Sequence, residues 1–273
     1  MGAESDLQRV GAQATSDIHL GNAALSLAQV FDSTLDICVY QRHIEMLVSD
    51  ARAFIGDDVD DPEILSQAVR QIIVKRYGYT AEISDDIGLE GTNFARVIEN
   101  RRGSALALCL LYAHVLEQLG YQIEIVNFPL RPLVRVLQHS QYLNLDPFDG
   151  ARPVSTNKLR KLLKADQNAS PFDLQILDKR MALIELQDQR KLHLLRNNAP
   201  EAAIATLEAS VLIAPDEARL WRELGVLYAR LDQFEPSISA LQHFLELPGP
   251  DQHRYSASQL LQDMQTRKDT KNS

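Results

Sequence analysis

The feature that most constrains the fold is an apolar run at residues 104–119. Nearly every position after Ser104 carries an apolar side chain, and Gly120 closes the run. A helix that is apolar on all sides has to be buried, and a glycine after its last turn favours a left-handed cap. The run therefore predicts a central helix that other elements must surround.

Three short runs of β-forming residues follow this helix, at 122–127, 133–137 and 142–145. His139-Ser140 favours a hairpin turn between the second and third runs. A buried helix followed by antiparallel strands is typical of an α+β fold. Helical periodicity at 22–54, and again from Pro62 to Gly78, predicts further helices before the central one.

Composition and charge narrow the class of function. The chain has 273 residues, of which 45% are hydrophobic and 24% charged, as in an ordinary globular protein. A net charge of −9 disfavours nucleic-acid binding. Residues 101–200 differ, because 14 Lys and Arg against 9 Asp and Glu give them a charge of +5. This basic segment indicates either an anionic ligand or acidic partner, or an arbitrary distribution of surface charge.

Cysteine usage and hydropathy predict a cytoplasmic protein. The two cysteines, Cys38 and Cys109, lie in apolar runs, which argues against a disulfide framework. The first residues are polar, and no run approaches the ~20 apolar residues of a membrane span. No His/Cys cluster has zinc spacing, and no glycine-rich phosphate loop is present. We therefore expect no membrane contact, no cofactor and no metal.

A repeat motif lies in the last third of the chain, where the pattern is helical. Trp221, Leu224, Gly225 and Tyr228 match the spacing of a tetratricopeptide repeat (TPR), and about two units are recognisable. A single helix pair cannot bury its apolar face, so such pairs stack on one another. We expect these four residues to form the repeat core. The repeats are then either a structural appendix or a groove that binds a peptide or protein.

Several motifs together give the chain a resemblance over roughly residues 25–265. They are Asn100-Arg101-Arg102-Gly103-Ser104, Asn127-Phe128-Pro129, Leu133-Val134-Arg135, Asp146-Pro147-Phe148-Asp149-Gly150 and the repeat. In these motifs the chain resembles the bacterial SirB family, in which a transglutaminase-like (papain-like) domain precedes TPRs. The resemblance implies no agreed biochemical activity.

The resemblance also gives a domain organisation. It implies a degenerate transglutaminase-like domain at 21–165 and an all-α TPR-like domain at 166–266. We expect the polar ends of the chain, 1–20 and 267–273, to be a flexible N-terminus and a disordered tail.

The wider transglutaminase-like superfamily implies a Cys-His-Asp triad, which this chain does not retain. The cysteine stands two residues after a glycine and about fifteen before the glycine that closes the helix, and both counts fall on Ala105. The position of the histidine holds Arg131, whose guanidinium cannot act as a general base. Only Asp146 fits its position, that of the acid. The resemblance therefore implies a degenerate site with no catalytic residues.

Ser104 is the alternative nucleophile. At a helix N-terminus it could use backbone N–H groups as an oxyanion hole, but no histidine occupies an obvious position for a base. The competing interpretation is that Ser104 caps the helix. We interpret Cys109 as an inert core thiol.

The remaining candidates are ligand-binding residues. Four arginines lie on segments expected near the helix N-terminus, which itself favours anions. They could line a groove for a carboxylate or an acidic peptide, with Arg131 paired to Asp146; alternatively they are solvated or form local ion pairs. The candidate set is Arg101, Arg102, Ser104, Arg131, Arg135 and Asp146.

The sequence thus predicts a non-catalytic protein-interaction or regulatory protein. Its expected partner is a protein or an acidic peptide, and its oligomeric state is left open. The alternative is a residual amidase or acyltransferase that uses Ser104.

Overall fold

A computed structural model describes residues 2–56, 61–82, 88–128, 131–138, 141–165, 175–249 and 251–272. The chain forms two compact units. The first is Gln13–Leu186, and the second combines Gly2–Ala12 with Gln187–Ser273. No helix in the described ranges is long and apolar enough to span a membrane.

Helices supply most of both units. A π-helical segment, Val69–Arg76, continues the fourth helix. In chain order the helices are α1 Ala3–Ala12, α2 Leu20–Phe31, α3 Ile37–Ile55, α4 Pro62–Ala68, α5 Leu89–Thr92, α6 Phe94–Asn100, α7 Ala105–Gln118, α8 Thr156–Ala165, α9 Lys179–Arg196, α10 Pro200–Ile213, α11 Ala218–Arg230, α12 Phe234–Glu246 and α13 Arg254–Asn272.

Helix α7 is the centre of the first unit, as the apolar run predicts. Its residues from Ala105 to Leu116 are all buried. Helices α2 and α3 pack against it, together with two strands of the sheet. The predicted central helix is therefore confirmed.

The described residues of the first unit form two sheets. The strands are β1 Thr80–Ala81, β2 Arg102–Gly103, β3 Gln122–Asn127, β4 Leu133–Gln138, β5 Gln141–Asp146, β6 Arg152–Pro153 and β7 Gln175–Leu177. Strands β1 and β2 pair in parallel, whereas the larger sheet is antiparallel in the order β6-β5-β4-β3-β7. The three predicted runs are its central strands, so the α+β fold is confirmed.

Register places apolar side chains on both faces of this sheet. Val134 lies opposite Ile125 and Leu145, and all three are buried on one face. On the other face, Val126 and Leu133 join a second buried cluster with Phe128, Val154 and Leu159. The predicted turn at His139-Ser140 lies outside the described residues.

The second unit contains the predicted repeat. Leu224 is buried, and a methyl group at Gly225 would lie 2.7 Å from Cγ of Leu241. The Ser237 hydroxyl donates to the Gly225 carbonyl over 2.8 Å. Helix α12 therefore packs directly on the backbone of α11, a close approach that only glycine allows.

The chain ends differ from the expectation of disorder. Residues 3–12 form α1, in which Leu7 is fully buried, and this helix packs against α10. At the other end, α13 continues to Asn272, with an ion pair between Asp263 and Arg267 of 3.0 Å. Polar composition favours disorder, but the buried Leu7 of α1 and the i,i+4 ion pair of α13 are compatible with helices that pack on neighbours.

The boundary between the two units also differs from the predicted one. The boundary falls after Leu186, whereas the sequence placed it after residue 165. Residues 175–177 form strand β7 on the edge of the larger sheet, which brings this part of the chain into the first unit. A three-residue edge strand has too little periodicity to be recognised in a segment that otherwise looks helical.

Candidate functional site

The N-terminus of α7 holds Ala105, the position that the resemblance assigns to the nucleophile. Ala105 stands there with a methyl side chain that is 5% exposed. The neighbouring Ser104 is also buried, and its hydroxyl accepts a hydrogen bond from the Ala107 backbone N–H over 3.1 Å. Its own backbone N–H donates to the Gly91 carbonyl over 2.8 Å. Ser104 is thus the N-cap of α7, held at both the side chain and the backbone.

Arg131 and Asp146 are in direct contact. A guanidinium nitrogen lies 2.6 Å from Oδ2 of Asp146, whose side chain is only 3% exposed. The other carboxylate oxygen accepts from the Phe148 backbone N–H over 2.9 Å, at the start of the 3-10 turn Pro147–Asp149. The guanidinium also lies 5.4 Å from the centre of the Phe148 ring. Both oxygens of this buried carboxylate therefore have partners.

Cys109 lies one turn further along α7 and is fully buried. Burial, and then the nearby charge of Asp146, raise the pKa of its thiol well above the usual range. A thiol is nucleophilic as the thiolate, which this environment disfavours. Cys109 has neither the ionisation nor the exposure of a catalytic cysteine.

Arg101 points into a different cluster from Arg131. It has a left-handed backbone, with φ of 59°. One guanidinium nitrogen donates to the Ile98 carbonyl over 2.6 Å and to the Tyr79 hydroxyl over 2.7 Å. The same nitrogen lies 2.7 Å from Nε2 of His43. Arg101 therefore ties the end of α6 to residues of other elements, an arrangement that sequence spacing did not indicate.

The histidine and the tyrosine of this cluster, His43 and Tyr79, both have shifted pKa values. Burial, and then the charge of Arg101, lower the pKa of His43 to about 4. Burial raises the pKa of Tyr79 to about 12, against the opposing effect of Arg101. At neutral pH both groups are uncharged, so Arg101 is held by dipoles and by the Tyr79 ring, 5.0 Å away.

Arg135 and Arg102 also have surroundings different from those of the Arg131–Asp146 ion pair. Arg135 donates from Nε to the Asn144 side-chain oxygen over 2.9 Å and forms a 3.3 Å ion pair with Glu124. These three residues face one another across β3, β4 and β5. Arg102 is exposed in β2. Of the candidate set, the structure brings Arg131 and Asp146 together, while Arg101 and Arg135 have other partners.

A basic cavity that the sequence did not indicate adjoins Phe148. Its volume is about 300 Å³, and it lies where the π-helical segment meets the turn after β5. Gly150 has φ of 59°, and a methyl group at this residue would lie 3.6 Å from Cγ1 of Val74. The charged lining is Arg70, Lys75, Arg152 and Asp149. No group of three or more metal-ligating side chains converges within the described part of the chain.

Comparisons with known proteins agree with the two units. The family model described as "Transglutaminase-like superfamily" matches residues 39–187, and one described as "Tetratricopeptide repeat" matches residues 189–262. Among solved structures, the crystal structure of menin aligns with 89% of this chain and 69% of its own, at 12% identity and a TM-score of 0.45.

Curated bacterial relatives extend over most of the chain. A UPF0162 protein of Xylella fastidiosa is 23% identical over 84% of this chain and 83% of its own. The UPF0162 protein YchA of Escherichia coli K12 is 27% identical over 74% and 77%. Protein SirB1 of Salmonella typhimurium is 26% identical over 74% and 77%. The resemblance to the SirB family is confirmed.

Proposed function

Because the chain belongs to the transglutaminase-like superfamily, we propose that it is a non-catalytic member, a protein-interaction or regulatory protein. In this proposal the degenerate site and the TPR region both serve recognition. The free cysteines Cys38 and Cys109 are compatible with a cytoplasmic location.

The ion pair between Arg131 and Asp146 carries the proposal. In the superfamily triad the acid orients a histidine base, but here its carboxylate contacts a guanidinium that stays protonated. Ala105 offers no nucleophile, and the Ser104 hydroxyl is occupied as a helix cap. Covalent catalysis needs a nucleophile that a neighbouring base activates, and in this proposal the site supplies neither.

The charges around Phe148 favour an acidic partner. Arg131 lies against the ring of Phe148, and the basic cavity beside it has three cations and one carboxylate, that of Asp149. Asp149 forms a 3.3 Å ion pair with Arg152, so its charge is already offset. An acidic side chain or a free carboxylate would gain charge-assisted hydrogen bonds from Arg70 and Lys75.

Affinity capture from native cell extract, with mass spectrometry, tests the recognition role. Wild type is compared with Arg131→Ala and with Arg42→Ala, which removes an exposed arginine of α3 that does not line the basic cavity. We expect a partner that wild type and Arg42→Ala retain and Arg131→Ala loses. A partner retained equally by all three would reject recognition by the degenerate site and assign binding to the repeats.

Covalent labelling tests the absence of catalysis. A serine-directed fluorophosphonate probe should leave the intact protein unlabelled, because Ser104 is buried and bonded. Labelling that disappears in Ser104→Ala would contradict the proposal and support the amidase or acyltransferase alternative.

A further inference from the structure

A larger cavity in the first unit lies between α2, α3 and α7, and shares no lining residue with the basic cavity. Its volume of about 480 Å³ is in the range of small-ligand sites. The lining is mainly polar and includes His19, Asn22, Gln41, Glu45, Arg52 and His114. Sites of this size orient their ligands through a small number of polar groups, and this lining contains several.

His114 is the unexplained member of this lining. It lies in the apolar helix α7, is 6% exposed, and its Nδ1 has no hydrogen-bond partner among the described residues. A methyl group at Gly21 would lie 2.7 Å from ring carbon Cδ2, so α2 approaches the ring as closely as glycine permits. Buried polar groups normally have partners, and an orphaned one needs an explanation.

The ring of His114 is uncharged at neutral pH. Burial, followed by the charges of His19 and Lys179, lowers its pKa to about 4. A neutral imidazole offers one donor and one acceptor nitrogen, so it suits an uncharged polar group such as a peptide amide.

Helix α3 contributes one acidic and one basic side chain to the lining of the cavity. Glu45 and Arg52 are seven residues apart, about 10.5 Å along a helix axis and on one face. Arg52 donates to the Gln118 carbonyl over 2.9 Å, which orients its guanidinium and leaves other N–H groups for a ligand. Glu45 has no ion partner within the described ranges. The α3 side of the lining thus carries one anion, Glu45, and one cation, Arg52, both on exposed side chains.

Amide groups lie beside this charged pair. The Gln41 side-chain nitrogen donates to the Asn22 side-chain oxygen over 3.1 Å. This bond leaves the amide nitrogen of Asn22 as a donor and the oxygen of Gln41 as an acceptor. A peptide bond has the complementary pair of groups.

We propose that this cavity binds a small zwitterion with a free ammonium and a free carboxylate, either an amino acid or a short peptide. The carboxylate contacts Arg52, the ammonium contacts Glu45, and polar groups between them face His114 and the amides. One residue spans about 3.5 Å and an extended dipeptide about 7 Å, so that, with a hydrogen bond of about 3 Å at each end, the two ligands bracket the axial rise from Glu45 to Arg52. This binding is independent of the proposed recognition role of Arg131.

Isothermal titration calorimetry of the full chain tests the proposal. L-alanyl-L-alanine and L-alanine are the probes, and N-acetyl-L-alanyl-L-alanine and L-alanyl-L-alanine amide are the blocked controls. We expect the dipeptide to bind with a Kd on the order of 1 mM or tighter, and each blocked form to bind about tenfold more weakly. Tighter binding of alanine than of the dipeptide would assign the cavity to single amino acids.

Variants locate the binding. Arg52→Gln and Glu45→Gln should each weaken dipeptide binding about tenfold, and Arg42→Gln, an exposed change outside the cavity, should leave it unchanged. His114→Phe should also weaken it without loss of folding, as judged by circular dichroism. Absence of binding by both probes, equal binding of the blocked forms, or full binding by Arg52→Gln would overturn the proposal.

Discussion

The guanidinium of Arg131 lies 2.6 Å from the carboxylate of Asp146, and the two side chains are exposed to very different degrees. Arg131 is 36% exposed, whereas Asp146 is 3% exposed. The buried anion thus depends on a cation at the surface. Among the residues that the structure describes, removal of the cation leaves this buried charge with one hydrogen bond, from the Phe148 backbone.

Arg131→Met should lower the free energy of unfolding by about 1–3 kcal/mol, because Asp146 then stays buried without its ion partner. The double variant Arg131→Met/Asp146→Asn should recover part of this loss, since asparagine can still accept from Phe148. Urea denaturation measures both. Arg152→Ala is the control, because its ion pair with Asp149 is exposed and should change stability by less than about 0.5 kcal/mol. If Arg152→Ala lowers the free energy of unfolding as much as Arg131→Met, burial of Asp146 does not make its ion pair more stabilising than an exposed one.

The two thiols should differ in reactivity. Cys38 is exposed, whereas Cys109 is fully buried with a raised pKa. Ellman's reagent should therefore titrate a single thiol in the native protein and both in urea. Cys38→Ser should abolish native labelling, and Cys109→Ser should leave it unchanged. Rapid native labelling of Cys109 would reopen the question of a cysteine nucleophile.

Stability of the first unit should fall as the pH drops from about 6.5 to about 4. The pKa of His43 and of His114 is lowered to about 4 in the folded protein, from an ordinary value of 6.5. In this window the unfolded chain binds protons that the folded chain does not, so protonation favours unfolding; above pH 6.5 the contribution is fully present.

Urea denaturation at several pH values measures this dependence. His43→Gln and His114→Gln should each flatten it, because each removes a proton-binding site that differs between folded and unfolded chains. His253→Gln, at an exposed position in the second unit, is the matched control. An unchanged slope in both test variants would mean that these histidines do not govern the acid sensitivity.

Leu224→Ala should destabilise the second unit by about 2–5 kcal/mol, because Leu224 is buried and alanine leaves a cavity. Leu192→Ala removes the same atoms from a side chain that is 50% exposed in α9, and should cost less than about 1 kcal/mol. Thermal unfolding compares the two. Equal stability of Leu224→Ala and wild type would contradict the role of Leu224 in the repeat core.

Local sequence patterns determined the central helix, the three inner strands and the repeat. The apolar run of α7 has to be buried whatever surrounds it, and Ser104 can be recognised as its cap from position alone. The spacing of Leu224 and Gly225 specifies a helix pair in the same way. These features depend on residues close together in the chain, so a single sequence is sufficient to predict them.

Only the tertiary structure decided where the arginines point and which cavities form. Arg101 and Arg131 lie on segments that the sequence placed near one groove, yet one contacts His43 and Tyr79 and the other contacts Asp146. The cavity beside His114 depends on how closely α2 approaches α7 at Gly21. Such contacts join residues far apart in the chain, and strand register and helix packing fix them, which no local pattern encodes.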